Sequence, residues 1–336
     1  MSEPSVTVLL PVLDEAAHID ACLESLEAQD YAGRISIVVA DGGSTDGTLD
    51  HLAKWAPRLD LLVLDNPTRV QSAGLNVAVG AATGEILVRT DAHTTYAPDY
   101  IRRSVDALVT SDAVAVGGRL TPEGHSAFGE AVAAAMTSPL AIGPARFHHA
   151  DTPEKVDTVY LGAFRRDDLL TLGGFRSFPS GAVEDADLYF RWRRQGRKVL
   201  LDPSIRSIYR PRETPKALAR QFYRYGQGKA EMLYVNGRWP SWRPAAPLGL
   251  ILAIIAFSVL GVVVGNWWPL VALAGLWAIV LAAAAISATM GLVGWLRTIG
   301  AAAIMHLAYG AGLLRGLLRR PASARRAVTS PPLTPP

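Results

Sequence analysis

The sequence predicts an α/β domain, with a mostly parallel sheet and flanking helices, followed by C-terminal transmembrane helices. In the first half of the 336 residues, short apolar runs rich in β-branched residues alternate with stretches of helical periodicity. This is the pattern of strands that are joined by crossover helices. In the second half, no ionisable side chain occurs between Arg243 and Arg297. A gap of that length is sufficient for two membrane helices of about 20 residues each.

Strands and helices are predicted in alternation along the first half of the chain. The predicted strands are apolar runs bounded by polar or glycine-containing segments, at residues 5–12, 34–40, 61–64, 85–90, 113–120 and 158–164. The predicted helices carry apolar residues three and four positions apart, at residues 17–28, 46–55, 71–82, 184–195 and 214–234. Asp46 is the expected N-cap of the second helix, because its carboxylate can accept hydrogen bonds from the first turn.

Polar clusters follow three of these strands at their carboxyl ends. Asp14 and Glu15 follow the first strand, Asp41 follows the second, and Asp91 and His93 follow the fourth. Folds of this kind bind ligands at the carboxyl ends of the strands, so the clusters predict a nucleotide-type site. The chain has neither a Gly-x-Gly-x-x-Gly nor a Walker-type loop, which disfavours a dinucleotide dehydrogenase or a P-loop enzyme.

Asp91 and His93 are the candidate metal ligands. In a strand, residues two apart point to the same face, so these side chains can converge on one ion. A carboxylate with an imidazole suits Mn²⁺ or Mg²⁺ carrying a phosphate. Taken alone, Asp-x-His at a strand end is more often a turn with a solvated acid. Its weight here comes from the neighbouring polar clusters.

The apolar region predicts two spanning helices, at about 248–265 and 269–290, that are apolar all round. Basic residues cluster on both sides of this region, which favours the cytoplasmic side at both ends. A further apolar segment at about 298–317 is then either interfacial or re-entrant, since a third span would place the arginine-rich tail outside. The predicted organisation is a cytosolic domain at 1–235, a membrane region at 236–318 and a disordered basic, proline-rich tail at 319–336.

Composition excludes several other classes of protein. The net charge of +3 is too small to indicate nucleic-acid binding. Cys22 is the single cysteine, so an internal disulfide is not expected. The first residues lack the basic region and the apolar run of a signal peptide. We therefore expect a multi-pass protein of the cytoplasmic membrane whose globular domain faces the cytosol.

A series of short motifs occurs in a recognisable order. They are Val-Leu-Leu-Pro-Val-Leu-Asp-Glu at 8–15, Asp-Gly-Gly-Ser-Thr-Asp at 41–46, Gly-Leu-Asn at 74–76, Asp-Ala-His at 91–93, Gly-Gly-Phe at 173–175 and Glu-Asp at 184–185. Together they resemble glycosyltransferase family 2, inverting enzymes of the GT-A fold that use nucleotide-activated sugars. Arg-Thr-Asp-Ala-His at 89–93 and Gln-Phe-Tyr-Arg-Tyr-Gly-Gln-Gly at 221–228 are most similar to the membrane-bound glucosyltransferases of succinoglycan-type exopolysaccharide assembly.

The resemblance implies a role for each matching residue. Asp185 would be the catalytic base, with Glu184 beside it near the acceptor. Asp91 and His93 would bind a divalent cation, Mn²⁺ or Mg²⁺, on the diphosphate of the donor. The nucleotide sugar, with UDP-glucose favoured, would contact Pro11, Val12, Asp14, Glu15, Asp41, Gly42, Arg69, Asn76, Arg89 and Asp91. The acceptor, or a lid formed by residues 212–228, would involve Gly174, Phe175, Gln221, Arg224 and Tyr225.

Two positions depart from the family pattern. His93 replaces the usual second acid of the metal motif, which lowers the local negative charge and favours Mn²⁺. The sequence Ile-Tyr-Arg-Pro at 208–211 stands where many members have a further histidine. A third protein ligand to the metal is therefore not assigned.

Three functions are compatible with the sequence. The first is a transferase that extends a saccharide linked to polyprenyl diphosphate. The second is a transferase whose acceptor is the polyprenyl phosphate itself. A phosphate acceptor is already ionised, so that reaction has less need of Asp185 as a base. The third is an inactive membrane scaffold or nucleotide-sugar sensor, against which the presence of both Asp91 and Asp185 argues. The first function is favoured.

Overall fold

The computed structural model describes residues 3–239, 241–286 and 291–319. A mixed sheet forms the centre of the first 240 residues. Its strands are β1 (Val6–Val12), β2 (Ile35–Asp41), β3 (Leu61–Asp65), β4 (Ile86–Arg89), β5 (Thr94–Tyr96), β6 (Ala113–Pro122), β7 (Glu154–Lys155), β8 (Tyr160–Arg165) and β9 (Lys198–Tyr209). The strand order is β3-β2-β1-β4-β8-β6-β9-β5, and β7 pairs with β9.

Helices cover both faces of this sheet. They are α1 (Ile19–Glu27), α2 (Thr48–Trp55), α3 (Gln71–Ala81), α4 (Tyr100–Thr110), α5 (Ala127–Met136), α6 (Pro139–Ile142), α7 (Arg166–Leu172) and α8 (Glu184–Arg194). Apolar residues of α1 and α4 pack on one face of the sheet, and those of α3 and α8 pack on the other. Since the central strands are buried on both faces, they appear in the sequence as continuous apolar runs.

The predicted α/β fold is confirmed, and the parallel part of the sheet is the part that the sequence predicted. Strands β3, β2, β1 and β4 are parallel to one another, whereas β8 is antiparallel to β4. The long strand β9 was not predicted, because Asp202 and Pro203 interrupt its apolar pattern. The prediction for Asp46 was wrong by one position. Gly47 is the N-cap of α2, while the Asp46 carboxylate accepts a hydrogen bond from the amide of Thr48 at 3.1 Å.

Four long helices follow the sheet: α9 (Pro215–Asn236), α10 (Ala245–Val264), α11 (Trp268–Ala284) and α12 (Gly291–Leu318). By length and composition, α10 and α12 are candidates to cross a membrane, whereas α11 is shorter than such a helix normally is. The first predicted span therefore coincides with α10. The last residues of the second predicted span, 287–290, and the predicted disordered tail from residue 320 lie outside the described residues.

The C-terminal helix α12 packs closely along α9. A Cβ atom added at Gly226 of α9 would lie 2.1 Å from the carbonyl oxygen of Tyr309, and one added at Gly312 of α12 would lie 2.1 Å from the carbonyl oxygen of Tyr223. The two backbones can approach this closely only because both positions are glycine. The apolar helices after α9 are thus attached to the first 239 residues by tight helix packing as well as by the chain.

Candidate active site

A cavity of about 1620 Å³ opens at the carboxyl ends of β1 and β4. The loops after these strands, the start of α8 and one side of α9 form its polar end. Helices α10, α11 and α12 line the opposite end. One continuous space therefore joins the predicted nucleotide site to the apolar helices.

The loops after β1 and β2 hold each other in place. The backbone amide of Asp14 donates to Ser44 Oγ at 2.9 Å, and the Asp14 carboxylate accepts from the amide of Thr45 at 2.8 Å. Asp14 itself has a φ of +54°, a conformation that costs a non-glycine residue energy and therefore needs such support. The expected nucleotide contacts at this end do line the cavity: Pro11, Val12, Asp14, Glu15, Gly42 and Arg69.

The structure places Asp41 outside the cavity wall. Its buried carboxylate accepts hydrogen bonds from the amide of Gly43 at 2.9 Å, from the amide of Ser44 at 3.1 Å and from Ser44 Oγ at 2.6 Å. Asp41 therefore shapes the turn that presents Gly42 to the cavity. A contact with the nucleotide is not needed to explain this residue.

The predicted contacts at Asn76, Gly174 and Phe175 are likewise not on the cavity wall. The side-chain amide of Asn76 donates to the carbonyl of Phe175 at 2.7 Å and accepts from the amide of Phe175 at 2.9 Å. Phe175 is fully buried against Phe164. These residues join α3 to the segment before α8, so their role in this structure is to position the site.

Asp91 and His93 lie beside the cavity in a turn after β4. The amide of Thr94 donates to the carbonyl of Asp91 at 3.1 Å. The two side chains are therefore brought to the cavity by a turn. We had expected the alternation of side chains along a strand to do this. Asp91 Oδ1 accepts from Gln71 Nε2 at 3.0 Å. His93 Nδ1 is buried 3.4 Å from Glu15 Oε1 and has no hydrogen-bond partner among the described residues.

These groups fit a divalent cation that is held jointly with a diphosphate. A carboxylate and an imidazole with an unpartnered ring nitrogen are suitable ligands for Mn²⁺ or Mg²⁺. Within the described residues, no group of three or more His, Cys, Asp or Glu side chains is arranged to hold a metal. At the position of the family's further histidine, Tyr209 packs edge-on against His93 with 5.6 Å between ring centroids.

Asp185 and Glu184 occupy the first turn of α8 and differ in their surroundings. The Asp185 carboxylate lines the cavity and accepts a hydrogen bond from the amide of Ala186 at 2.6 Å. Glu184 is buried and accepts from Arg89 Nη2 at 2.9 Å. Burial raises the pKa of Glu184, while the charge of Arg89 opposes this shift. Both residues line the cavity, but Glu184 is paired with Arg89, so Asp185 is the carboxylate of the two that is available to a substrate.

Arg89 connects this helix to the metal motif. Its buried guanidinium lies 2.9 Å from Glu184 and 3.7 Å from Asp91 Oδ1. Burial opposes the charge of Arg89, but Asp91 and Glu184 outweigh burial and raise the pKa of Arg89. Its Nε and Nη1 atoms have no hydrogen-bond partner in the described part of the chain. Arg89, which was expected at the nucleotide sugar, lines the cavity and links the two acidic motifs.

Residues 212–228 do not form the predicted lid. From Pro215 onwards they belong to the long helix α9, which is fixed between α12 and the loop before α8. Arg224 donates to the carbonyls of Ser180 at 2.7 Å and of Gly181 at 3.0 Å. Glu231 accepts from Ser180 Oγ at 2.7 Å. Gly226 permits close packing against α12, and Gly228 permits close packing against Val183 and Ser180. Arg224, which we expected to move with a lid, holds the loop before α8.

The other residues expected at the acceptor side, Gln221 and Tyr225, do line the cavity. The Gln221 amide donates to the hydroxyl of Tyr225 at 3.0 Å and to that of Tyr209 at 3.2 Å. The sequence placed Lys229 in a basic run, Lys216–Arg243, expected at the lipid headgroups, where it could contact an anionic isoprenoid diphosphate. It did not indicate that the Lys229 side chain, one turn further along α9, lines the same cavity as Asp185. This position could be recognised only once α9 was placed beside the start of α8.

Comparison with known proteins identifies relatives over nearly the whole chain. A family model described as Glycosyl transferase family 2 matches residues 7–172. The chain is 33% identical over 327 residues to the succinoglycan biosynthesis protein ExoA of Rhizobium meliloti. This alignment covers 95% of this chain and 96% of that protein. It is 23% identical over 273 residues to a dolichyl N-acetyl-alpha-D-glucosaminyl phosphate 3-beta-D-2,3-diacetamido-2,3-dideoxy-beta-D-glucuronosyltransferase of Methanococcus voltae, covering 77% of this chain and 83% of that protein.

Among solved structures, the chain is similar to the mannosyltransferase PcManGT of Pyrobaculum calidifontis in complex with GDP-Man and Mn²⁺. The TM-score is 0.58 and the sequence identity is 26%, over 95% of this chain and 89% of that one. The fold of the sheet domain is therefore that of an enzyme which has been observed with a nucleotide sugar and a divalent cation.

Proposed function

The chain belongs to glycosyltransferase family 2, and from this we propose that it transfers a sugar from a nucleotide-diphosphate donor to a saccharide linked to polyprenyl diphosphate. The reaction would contribute to exopolysaccharide or cell-surface polysaccharide assembly. The donor nucleotide sugar, with UDP-glucose favoured, would bind between the β1 loop and Asp91. The sheet domain would lie on the cytosolic face of the membrane.

One observation carries this proposal: a single cavity is lined both by Asp91 and Asp185 and by residues of the apolar helices. The apolar part of this cavity matches the lipid of a lipid-linked acceptor, whereas a soluble saccharide has no apolar group to place there. The names of two relatives support a lipid-linked acceptor and a role in polysaccharide assembly, although neither name contains a diphosphate. The name of the Methanococcus voltae protein describes transfer to a sugar on dolichyl phosphate, and the Rhizobium meliloti protein is named for succinoglycan biosynthesis.

The residues of the site supply the chemistry that such a transfer needs. The acceptor hydroxyl must lose a proton as it attacks the anomeric carbon, and Asp185 is the cavity carboxylate available to take that proton. Asp91 and His93 would hold a divalent cation, which when bound supplies positive charge to the departing diphosphate. Arg89 keeps the motifs of Asp91 and Asp185 in a fixed relation through Glu184.

The basic residues near the apolar helices support the proposed orientation in the membrane. They precede and follow the apolar region, and include Lys216, Arg220, Arg224, Arg238, Arg243, Arg315 and Arg319. Such residues favour the cytoplasmic side, where they also meet anionic headgroups. With the two spans that the sequence predicts, at 248–265 and 269–290, an even number of crossings would leave the two ends of the region on the same side.

The test compares one saccharide in two forms, linked to polyprenyl diphosphate and free in solution. The full chain in lipid nanodiscs would be given a panel of radiolabelled nucleotide sugars with Mn²⁺, and Asp185→Asn would serve as the inactive control. We expect kcat/KM for the lipid-linked form to be larger by about 10²-fold or more, because the membrane concentrates enzyme and acceptor together. Equal rates for the two forms would refute a lipid-linked acceptor, and transfer to polyprenyl phosphate alone would identify the monophosphate-linked product instead.

A further inference from the structure

Beyond Asp185, the cavity continues as an apolar arm between α6, α10 and α11. We define this arm by the residues Leu140, Ile142, Leu250, Ala253, Leu276 and Trp277. Its one polar side-chain atom, the indole nitrogen of Trp277, donates to His306 Nδ1 at 3.2 Å. Leu140 and Leu276 are 50% and 62% exposed, so the arm also opens to the surroundings of the apolar helices. A long apolar group could therefore enter it from the side.

Two cationic side chains also line this cavity. Lys229 of α9 and Arg243, just before α10, both line the cavity. Arg243 Nη2 lies 2.9 Å from Asp157 Oδ1, which leaves the rest of its guanidinium for another anion. The hydrogen-bond partner of the Lys229 ammonium within the described residues is Met232 Sδ at 3.8 Å, a weak acceptor.

The positive charge of Lys229 lies in a half-buried position without a carboxylate in direct contact. Burial lowers the pKa of Lys229, and the carboxylates that oppose this shift are those of Asp185 and Asp157. Neither carboxylate forms an ion pair with the ammonium in the described structure. A half-buried ammonium without a direct anionic partner is costly unless a ligand supplies the negative charge.

We propose that the apolar arm holds the isoprenoid chain of the lipid-linked acceptor and that Lys229 and Arg243 bind its diphosphate. This inference rests on the proposed function and adds the binding site of the acceptor lipid. The isoprenoid matches the apolar walls, and the diphosphate matches the two cations. Because Lys229 lies near Asp185, the same contact would place the saccharide between the diphosphate and the catalytic base. The cation would also reduce repulsion between the acceptor's phosphates and Asp185.

The experiment measures the binding of farnesyl diphosphate, a short isoprenyl diphosphate, to the full chain in nanodiscs by calorimetry. Ala253→Trp and Leu276→Trp fill the arm from opposite walls, and Lys229→Met removes the ammonium but keeps an apolar stem. Each substitution should weaken farnesyl diphosphate binding by about 10- to 100-fold. Binding of the nucleotide sugar with Mn²⁺ should be unchanged in all three, which shows that they are folded.

Matched controls separate the lipid from a free anion and the arm from the helix surface. Ile255 lies on α10, is 48% exposed and is outside the cavity lining. The Ile255→Trp variant should therefore bind farnesyl diphosphate as the wild type does. Inorganic diphosphate and farnesol should each bind at least about tenfold more weakly than farnesyl diphosphate, since each makes one half of the contacts. Equal binding of inorganic diphosphate would show an anion site without a lipid site and overturn the inference.

Two further results would also decide against the inference. If Lys229→Met weakens nucleotide-sugar binding as much as farnesyl diphosphate binding, Lys229 belongs to the donor site. If the two tryptophan variants bind farnesyl diphosphate normally while the enzyme glycosylates lipid-linked saccharides, the arm is not the lipid site although the proposed function stands. Farnesyl diphosphate binding that depends on Ala253 and Lys229, in an enzyme that uses free saccharides equally well, would instead refute only the proposed function.

Discussion

Arg89 Nη2 lies 2.9 Å from Glu184 Oε1, and both side chains are buried. This ion pair joins β4, which leads into the metal motif at Asp91, to the first turn of α8, which carries Asp185. The two residues are 95 positions apart in the sequence. The distance between the cation site and the catalytic base therefore depends on a contact that neither motif contains by itself.

Arg89→Met should destabilise the protein by about 3–5 kcal/mol, because it leaves the buried Glu184 carboxylate without its partner. Denaturant unfolding would measure the loss. Adding Glu184→Gln to Arg89→Met should recover part of it, since the unpaired charge is then absent. A double variant as unstable as the single one would show that the guanidinium acts through packing and not through this pair.

The same variant should depend on pH in a defined direction. Burial raises the pKa of Glu184, and Arg89 opposes the shift, so removing Arg89 raises that pKa further. Between the unfolded value of 4.5 and the higher folded value, the folded state binds the extra proton. The unfolding free energy of Arg89→Met should then fall as pH rises through this window. We expect the deficit relative to the wild type to be smallest below pH 4.5 and largest near neutrality, as measured by unfolding across the pH range.

Asp185→Asn should lower kcat by about 10²- to 10⁴-fold, because the acceptor hydroxyl loses its general base. Nucleotide-sugar binding in the presence of Mn²⁺, measured by calorimetry, should be unchanged. Asn keeps the acceptor for the Ala186 amide, so the start of α8 should remain intact. A similar loss of donor affinity would move Asp185 from catalysis to nucleotide binding.

Asp91→Ala should abolish metal-dependent donor binding together with activity, because the diphosphate loses the cation that Asp91 would hold. His93→Asp restores an acid at the second position of the motif and should retain activity with a changed preference between Mn²⁺ and Mg²⁺. Thermal stabilisation by each metal, with and without the nucleotide sugar, would be measured for all variants. Full activity of the wild type after treatment with EDTA would contradict the metal assignment.

Gly226→Ala should destabilise the protein and lower kcat, because its Cβ would lie 2.1 Å from the carbonyl oxygen of Tyr309. The variant forces α9 away from α12, and α9 holds the loop before Asp185 through Arg224. Gly300→Ala on α12 is the matched control, since an added Cβ there meets nothing within 4 Å. It should be neutral or stabilising by about 0.5–1 kcal/mol, the usual gain for this change within a helix. Thermal unfolding and initial rates of both variants would test whether the packing of α9 on α12 supports catalysis. Equal stability and equal rates in the two variants would exclude this coupling.

The sequence was sufficient to predict the α/β class, the strands β1–β4, β6 and β8, the apolar helices and most of the site. These features are local. A buried parallel strand is a continuous apolar run, a spanning helix is a long stretch without charge, and the polar motifs follow directly after their strands. Pro11, Asp14, Glu15, Asp91 and Asp185 were expected at the site, and all line the cavity.

The tertiary structure alone decided which polar residues of those motifs face the cavity. Asp41 and Asn76 have the same residue types as ligand-binding groups, but their hydrogen bonds are made within the protein, to Ser44 and to Phe175. A sequence shows the donors and acceptors that a side chain has, and only packing shows where they are used.

The tertiary structure also decided the part played by α9. From the sequence, its glycines and basic residues predicted a mobile lid. A local sequence pattern does not reveal which elements pack against a helix. In the structure Gly226 faces α12, Gly228 faces the loop before α8, Arg224 holds that loop, and Lys229 lines the cavity. The sequence by itself determined that this protein is a family 2 glycosyltransferase with apolar C-terminal helices. How those helices are joined to Asp185 depends on contacts between residues far apart in the chain, which form only when the whole chain has packed.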